Sequence, residues 1–230
     1  MLKKKDEFII GSGFIANKFK KYLKFIKKNK VVIYAAGISN SLETNKKKLE
    51  KEILKFIDFT KKNKKKLIYI STYSIHDKSR NNKLYVKNKI KIEKIIKSNS
   101  SEFIIIRLPE IIGKTKNLNT LTNYFHNNII KKKPFKVFKN SRRNLLDIDD
   151  AIENCIKIIK KNKNKNKMIN LLNKKFNTPL QIVTYLEKIS QKKGIYKFSD
   201  NKNNKWNLKN NYFFHSKKNY LIKTLKKYYI

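Results

Sequence analysis

Residues 8–16 have the sequence FIIGSGFIA and join a short apolar run to a segment with helical spacing. In the segment after Gly13, apolar residues recur at intervals of three and four, which predicts an amphipathic helix. Glycines between a strand and a helix let the backbone approach a pyrophosphate, and the helix start adds a positive end. The stretch therefore predicts a dinucleotide-binding turn, and a glycine turn without a ligand remains the alternative.

The rest of the chain repeats this rhythm of apolar runs and amphipathic stretches. Predicted strands after the first cover residues 31–34, 67–70, 103–106, 135–138, 144–148 and 168–172. Predicted helices cover 14–26, 85–97, 118–130, 149–160 (capped by Asp149), 178–189 and 220–229, with one more running from Leu49 into the lysines at 61–66. Uniformly apolar strands that alternate with helices predict an α/β fold with a Rossmann-like parallel sheet covered on both faces.

The composition sets limits on the class of protein. The chain has 230 residues, of which 40% are hydrophobic, which is enough for one domain with its own core. A single cysteine excludes a disulfide scaffold and a cysteine-built metal site, and the three histidines lack ligand spacing, so we predict no metal. No apolar run approaches the length of a membrane span or a signal-peptide core, so we predict a cytoplasmic protein without membrane contact.

The formal net charge of +42 invites a nucleic-acid interpretation. However, 54 of the 58 basic residues are lysines, they are spread along the chain, and readers of nucleic acid favour arginine. Abundant Lys, Asn and Ile are typical of an AT-rich genome. We therefore favour compositional bias over a nucleic-acid partner, and we interpret the Lys-Asn tract at 160–167 as a solvated loop.

Residues with chemical content follow the predicted strands, where parallel sheets bind ligands. They are Gly11 and Gly13, Ala36 and Gly37, Ser71 and Thr72, and Leu108 to Glu110. Tyr85 and Lys89 lie one helical turn apart, and an ammonium beside a phenol favours the phenolate and makes it a usable general acid/base. The bland alternatives are a chance pair in a lysine-rich chain and, for Thr72, an ordinary polar strand end.

The order of these motifs resembles the extended short-chain dehydrogenase/reductases, the NAD-dependent epimerase/dehydratase family that acts on nucleotide sugars. The motifs are GSGFIA at 11–16, VVIYAAG at 31–37, YISTYSI at 69–75, Tyr85 and Lys89 with Glu93, IIRLPEIIG at 105–113 and RNLLDIDD at 143–150. The resemblance implies a core at residues 1–165 that binds NAD or NADP and a small substrate-side region at 166–230. It also implies a nucleotide-sugar substrate, a role in surface-polysaccharide synthesis, and a homodimer for which the helix carrying Tyr85 is a candidate face.

The same resemblance implies roles for individual residues. Thr72, Tyr85 and Lys89 match the catalytic set, in which the lysine also binds the nicotinamide ribose and lowers the tyrosine pKa. Cofactor-binding positions are Gly11, Gly13, Phe14, Ile15, Ala35, Ala36, Gly37, Lys89, Leu108 and Pro109. Substrate-binding positions are Thr72, Glu110, where the family often has Asn, and Arg143, which matches an arginine that grips a sugar-nucleotide diphosphate.

The chain departs from the family pattern between the glycine turn and the next motif. Gly37 follows Gly11 by only 26 positions, which leaves room for one helix and one strand. The family normally has two further strands here, the first of which ends in the residue that reads the adenosine ribose. We therefore predict a sheet that lacks two strands on one flank, and the choice between NAD and NADP stays open.

Two other classes of function stay open beside the enzyme. The missing strands are compatible with a non-catalytic Rossmann-like binding or regulatory protein, and the charge with a basic nucleic-acid-associated protein. Epimerase, dehydratase and reductase chemistry are equally compatible with the motifs, as are different sugars.

Overall fold

A computed structural model describes residues 7–77, 83–161, 166–200 and 211–230. Its strands are β1 Ile9–Ile10, β2 Val31–Tyr34, β3 Lys66–Thr72, β4 Phe103–Leu108, β5 Glu110–Ile112, β6 Phe135–Phe138, β7 Arg143–Asp147, β8 Lys167–Asn173, β9 Phe176–Asn177, β10 Tyr196–Ser199 and β11 Asn211–Phe214. Its helices are α1 Phe14–Phe19, α2 Leu23–Lys28, α3 Lys46–Lys62, α4 Leu84–Asn99, α5 Leu121–Ile130, α6 Ile148–Lys161, α7 Pro179–Ser190 and α8 Tyr220–Tyr229. No helix within these ranges is long and apolar enough to cross a membrane.

The central sheet has six parallel strands in the order β1-β2-β3-β4-β8-β11. Crossovers from one parallel strand to the next place helices on the two faces of the sheet. The predicted Rossmann-like α/β fold is therefore confirmed. Among the described residues, strand β1 stands at the edge of the sheet, and the segment between Gly11 and Gly37 contains one strand, β2, which agrees with the predicted loss of one flank.

Alternate residues of each strand build two cores, one on each face of the sheet. Ile33, Ile68 and Ile104 face one side and pack with α1, α2 and α6. Tyr34, Tyr69 and Ile105 face the other side and pack with α3 and α4. Because side chains alternate along a strand, runs that are apolar at every position fill both layers.

A second group of elements contains two small sheets that are separate from the central sheet. Strand β7 pairs with β5 and β9, while β6 pairs with β10. Helices α5, α7 and α8 enclose a separate apolar cluster around Phe125, Val137 and Leu186. Strands β8 and β11, which follow residue 165, belong to the central sheet, and the division of the chain at that residue stays a prediction.

The structure corrects three local expectations. The helix predicted over 14–26 is divided by a 3₁₀ turn at Lys20–Tyr22. Helix α6 begins at Ile148 rather than being capped by Asp149, because the carboxylate of Asp147 accepts the Asp149 N–H at 2.7 Å. The expected loop at 160–167 is shorter, since α6 reaches Lys161 and β8 begins at Lys167, with residues 162–165 outside the described ranges.

Candidate functional site

The glycine turn lies against the end of the neighbouring strand. Ile10 pairs with Tyr34, and the Ala35 N–H donates to the Ile10 carbonyl at 2.9 Å. Gly11 has φ +132°, and a Cβ on it would lie 2.8 Å from the Ala35 carbonyl oxygen. Only glycine therefore lets the turn pass this close to Ala35 and Ala36.

Of the residues that follow, Gly13 faces open space, whereas Phe14 and Ile15 pack against the core. Gly13 directly precedes α1 with φ −80°, and a Cβ on it would meet no atom within 4 Å. Phe14 begins α1, and its ring fills the space against Gly113, which follows β5. Ile15 is half-buried at the margin of the core. There is therefore free space beside Gly13, while the packing of Phe14 against Gly113 holds the start of α1 in place.

Tyr85 and Lys89 are both buried on the inner face of α4. The Lys89 ammonium lies 5.6 Å from the centre of the Tyr85 ring and 2.9 Å from a carboxylate oxygen of Glu52 on α3. The other Glu52 oxygen accepts the Asn88 side-chain amide at 3.0 Å. The predicted pair of Tyr85 and Lys89 therefore belongs to a larger cluster, in which the Glu52 carboxylate balances the charge of the Lys89 ammonium.

Glu52 was missed in the sequence because its partners are far away along the chain. A signal was nevertheless present, since Glu52 lies on the buried face of α3 with Leu49 and Phe56. A charged residue on an apolar helix face needs a buried partner. The partner of Glu52 is Lys89, 37 positions later in the sequence.

The surroundings of Lys89 keep it charged. Burial by itself lowers the lysine pKa, but Tyr69, Tyr85 and Glu52 outweigh this effect and leave the Lys89 pKa raised. Burial, followed by Glu52, raises the pKa of Tyr34 to about 12. Tyr69 is buried beside this cluster, and the Lys89 ammonium lies 5.8 Å from the centre of its ring.

Gly37 covers the cluster from the solvent side. It has φ +127° and is exposed, and a Cβ on it would collide with the Glu52 carboxylate and lie 3.1 Å from the Lys89 ammonium. The strand-end loop of Ala35, Ala36 and Gly37 is thereby joined to the cluster on α4. These predicted cofactor residues lie at the same sheet edge as Gly11.

Thr72 ends β3 and faces the end of the next strand. It pairs with Leu108 in the sheet, and its hydroxyl oxygen accepts the Ser74 N–H at 3.1 Å. This contact caps the 3₁₀ turn at Tyr73–His76, which packs against α4. The hydroxyl proton of Thr72 is not used by this bond, so Thr72 can still donate to a substrate.

Arg143 is buried beside a small cavity of ≈ 20 Å³ next to Pro109. Its guanidinium lies 3.7 Å from an Asp77 carboxylate oxygen and 3.6 Å from a Glu110 oxygen. The Arg143 Nε has no hydrogen-bond partner within the described ranges. Asp77 and Glu110 balance the charge of Arg143 in this structure. Because both contacts are long, an anionic ligand group could replace them.

A second buried ion pair supports the same edge and was not predicted from the sequence. Arg107 donates to both oxygens of Glu93, at 3.0 and 2.6 Å, and Ser71 donates to the first of these oxygens at 2.6 Å. Burial and then Arg107 lower the pKa of His76, which lies 3.0 Å from the guanidinium. This network fixes α4 to the ends of β3 and β4.

Comparison with known proteins gives one family match and several structural neighbours. The family model of the NAD dependent epimerase/dehydratase family matches residues 15–171. The chain belongs to this family. The resemblance drawn from the motifs is thereby confirmed, although a comparison with curated proteins gives no significant match.

The solved structures similar to this family member share its fold at low sequence identity. UDP-glucuronic acid 4-epimerase from Bacillus cereus, crystallised with UDP-glucuronic acid and NAD, has a TM-score of 0.65 and 19% identity, over 97% of this chain and 88% of that one. A dTDP-4-dehydrorhamnose reductase from Clostridium acetobutylicum has a TM-score of 0.64 and 14% identity, over 94% and 95%. UDP-N-acetylglucosamine 4-epimerase from B. cereus has a TM-score of 0.66 and 12% identity, over 94% and 92%.

The two glycines of the turn should respond differently to an added methyl group. We expect Gly11→Ala to lower the free energy of unfolding by at least about 2 kcal/mol, because its backbone conformation and the Ala35 carbonyl both oppose a side chain. Gly13→Ala should cost less than about 1 kcal/mol, since its Cβ enters open space. Urea unfolding of both variants measures the difference, and equal losses would show that the turn does not approach β2 as described.

Proposed function

We propose that the chain is an NAD(P)-dependent oxidoreductase or epimerase that acts on a nucleotide-activated sugar, in the synthesis of a surface polysaccharide. The observation that carries this proposal is the buried cluster of Tyr85, Lys89 and Glu52 beneath Gly37, at the same sheet edge as the Gly11 turn. Family membership and the sugar-nucleotide enzymes among the neighbours support the substrate class.

The residues at this edge fit a dinucleotide. Gly11 and Gly37 have backbone conformations that favour glycine, and open space lies above Gly13. In the proposal, Gly11, Gly13, Phe14 and Ile15 bind the pyrophosphate, Ala35, Ala36 and Gly37 line the ribose, and Leu108 and Pro109 lie beside the nicotinamide. When bound, the nicotinamide supplies a hydride acceptor or donor.

The catalytic roles are assigned to three side chains of this chain. Tyr85 takes or returns the proton of a sugar hydroxyl, and Thr72 donates a hydrogen bond that orients the same oxygen. Lys89 donates to the cofactor ribose and stays protonated because Glu52 and the tyrosines stabilise the ammonium. Arg143 binds the diphosphate of the sugar nucleotide, and Glu110 lies at a position that contacts the substrate.

A non-catalytic binding protein of the same family is the second candidate. Two observations favour it: β1 forms the sheet edge on the side where the adenine would bind, and Arg143 already faces two carboxylates. Both would weaken the binding of a dinucleotide or a diphosphate without changing the fold.

Binding of the cofactor separates the two candidates. We expect isothermal calorimetry to detect NADH or NADPH at sub-millimolar concentration, because the glycine turn and the Lys89 cluster are preformed. Absence of heat with either nucleotide at millimolar concentration would favour the non-catalytic candidate.

Loss of the Tyr85 hydroxyl should affect turnover rather than binding. For Tyr85→Phe we expect turnover of a UDP-sugar, followed by chromatography of the products, to fall by roughly 10²–10⁴-fold while NADH affinity is retained. Tyr124→Phe on α5, where the ring is 40% exposed, is the matched control and should keep full activity. Unchanged turnover of the Tyr85 variant would reject its assignment as the acid/base.

Neighbouring arginines offer a matched pair for the substrate side. Arg143 is buried near Pro109, whereas Arg142 is exposed. We expect Arg143→Ala to weaken UDP binding by about tenfold or more, because a charge-assisted bidentate contact is lost, and Arg142→Ala to change it little. Equal affinities in a calorimetric titration would remove Arg143 from the site.

A further inference from the structure

Glu52 lies on a helix that none of the proposed catalytic residues occupies. It belongs to α3, and the exposed fraction of its side chain is only 6%. A carboxylate in such a place is strongly disfavoured unless it is paired and hydrogen-bonded. Its two oxygens have separate partners on α4, the Lys89 ammonium at 2.9 Å and the Asn88 amide at 3.0 Å.

The two contacts fix adjacent residues of one helical turn. Asn88 and Lys89 follow one another on α4, and Tyr85 lies one turn before Lys89. Hydrogen bonds from both residues to one carboxylate restrict the rotation and position of this turn relative to α3. We propose that Glu52 is a positioning residue that holds the Lys89 ammonium, charged and correctly placed, beneath the Gly37 loop.

This inference rests on the proposed function, because it concerns how Lys89 meets the cofactor. It goes further because it assigns the position and charge of Lys89 to a residue of another helix, α3. The loop supports the same role, since the space that a Gly37 side chain would fill is occupied by the Glu52 carboxylate and the Lys89 ammonium. Glu52 does not need to touch the substrate for this role.

The charge state of Lys89 depends on the groups around it. Tyr69 faces the ammonium from β3, Glu52 from α3 and Tyr85 from α4 itself, while Tyr34 of β2 interacts with the pair at longer range. Glu52 is the carboxylate of this set. Removing its charge takes away part of the stabilisation that opposes burial, so the pKa of Lys89 falls from its raised value.

The test is the pH dependence of NADH affinity between pH 7 and pH 9, measured by calorimetry. Wild type should bind NADH almost equally at both pH values, because Lys89 stays protonated. In Glu52→Gln the pKa of Lys89 is lower than in wild type, so NADH affinity should weaken as the pH rises, with an increase of about tenfold in the dissociation constant from pH 7 to pH 9. Glu52→Asp keeps the charge and should restore most of the flat profile.

Glu50→Gln is the matched control, because it removes the same charge from an exposed position of the same helix. It should follow the wild-type profile. A Glu52→Gln profile parallel to wild type would overturn the role of Glu52 while leaving the proposed function intact, whereas failure of wild type to bind NADH would overturn both. If Glu52→Gln does not fold, Glu52→Asp carries the test at a single pH, because its shorter side chain moves the carboxylate away from Lys89 and Asn88. Weaker NADH affinity of Glu52→Asp than of Glu50→Gln at pH 7 then supports the role, and equal affinity overturns it.

Discussion

Burial of a charged lysine requires a counter-charge, and the contact between α3 and α4 is arranged around this requirement. Lys89 and Glu52 are almost fully enclosed, so each would be strongly destabilising without the other. The pair sets the distance between two helices on the same face of the sheet. It also brings the inner face of α4, with Tyr85, under the loop that ends β2. The geometry of the candidate site follows from this one contact.

A second buried ion pair fixes α4 one turn further along the helix. Glu93 lies one turn after Lys89 and binds Arg107, which belongs to β4. Helix α4 therefore carries a cationic and an anionic side chain, and each is neutralised by a neighbouring element. Such complete pairing favours a single, well-defined position of the helix on the sheet. A rigid α4 in turn gives Tyr85 and Thr72 a constant relation to the strand ends.

The fold could be predicted because its information is local. Apolar strands, the glycines at 11 and 13 and the helical spacing of residues 85–97 each lie within a short window, and the parallel sheet follows from their order. Glu52 could not be assigned in this way, because its partner lies on another helix and only packing brings the two together. The acidic surroundings of Arg143 were missed for the same reason, since Asp77, Glu110 and Arg143 come from three separate segments. Roles inferred from the family resemblance, such as those of Thr72 and Tyr85, stay predictions until the variants are measured.

The loss of the flanking strands has a consequence for colloidal behaviour. An edge strand with a long row of free amide and carbonyl groups is a template for strand addition by other chains. Here the edge strand β1 contains only Ile9 and Ile10, and Ile9 is buried. The formal net charge of +42 also repels a second copy of the chain. The shortened sheet is thus protected on this side from intermolecular β-sheet growth and amyloid-like association.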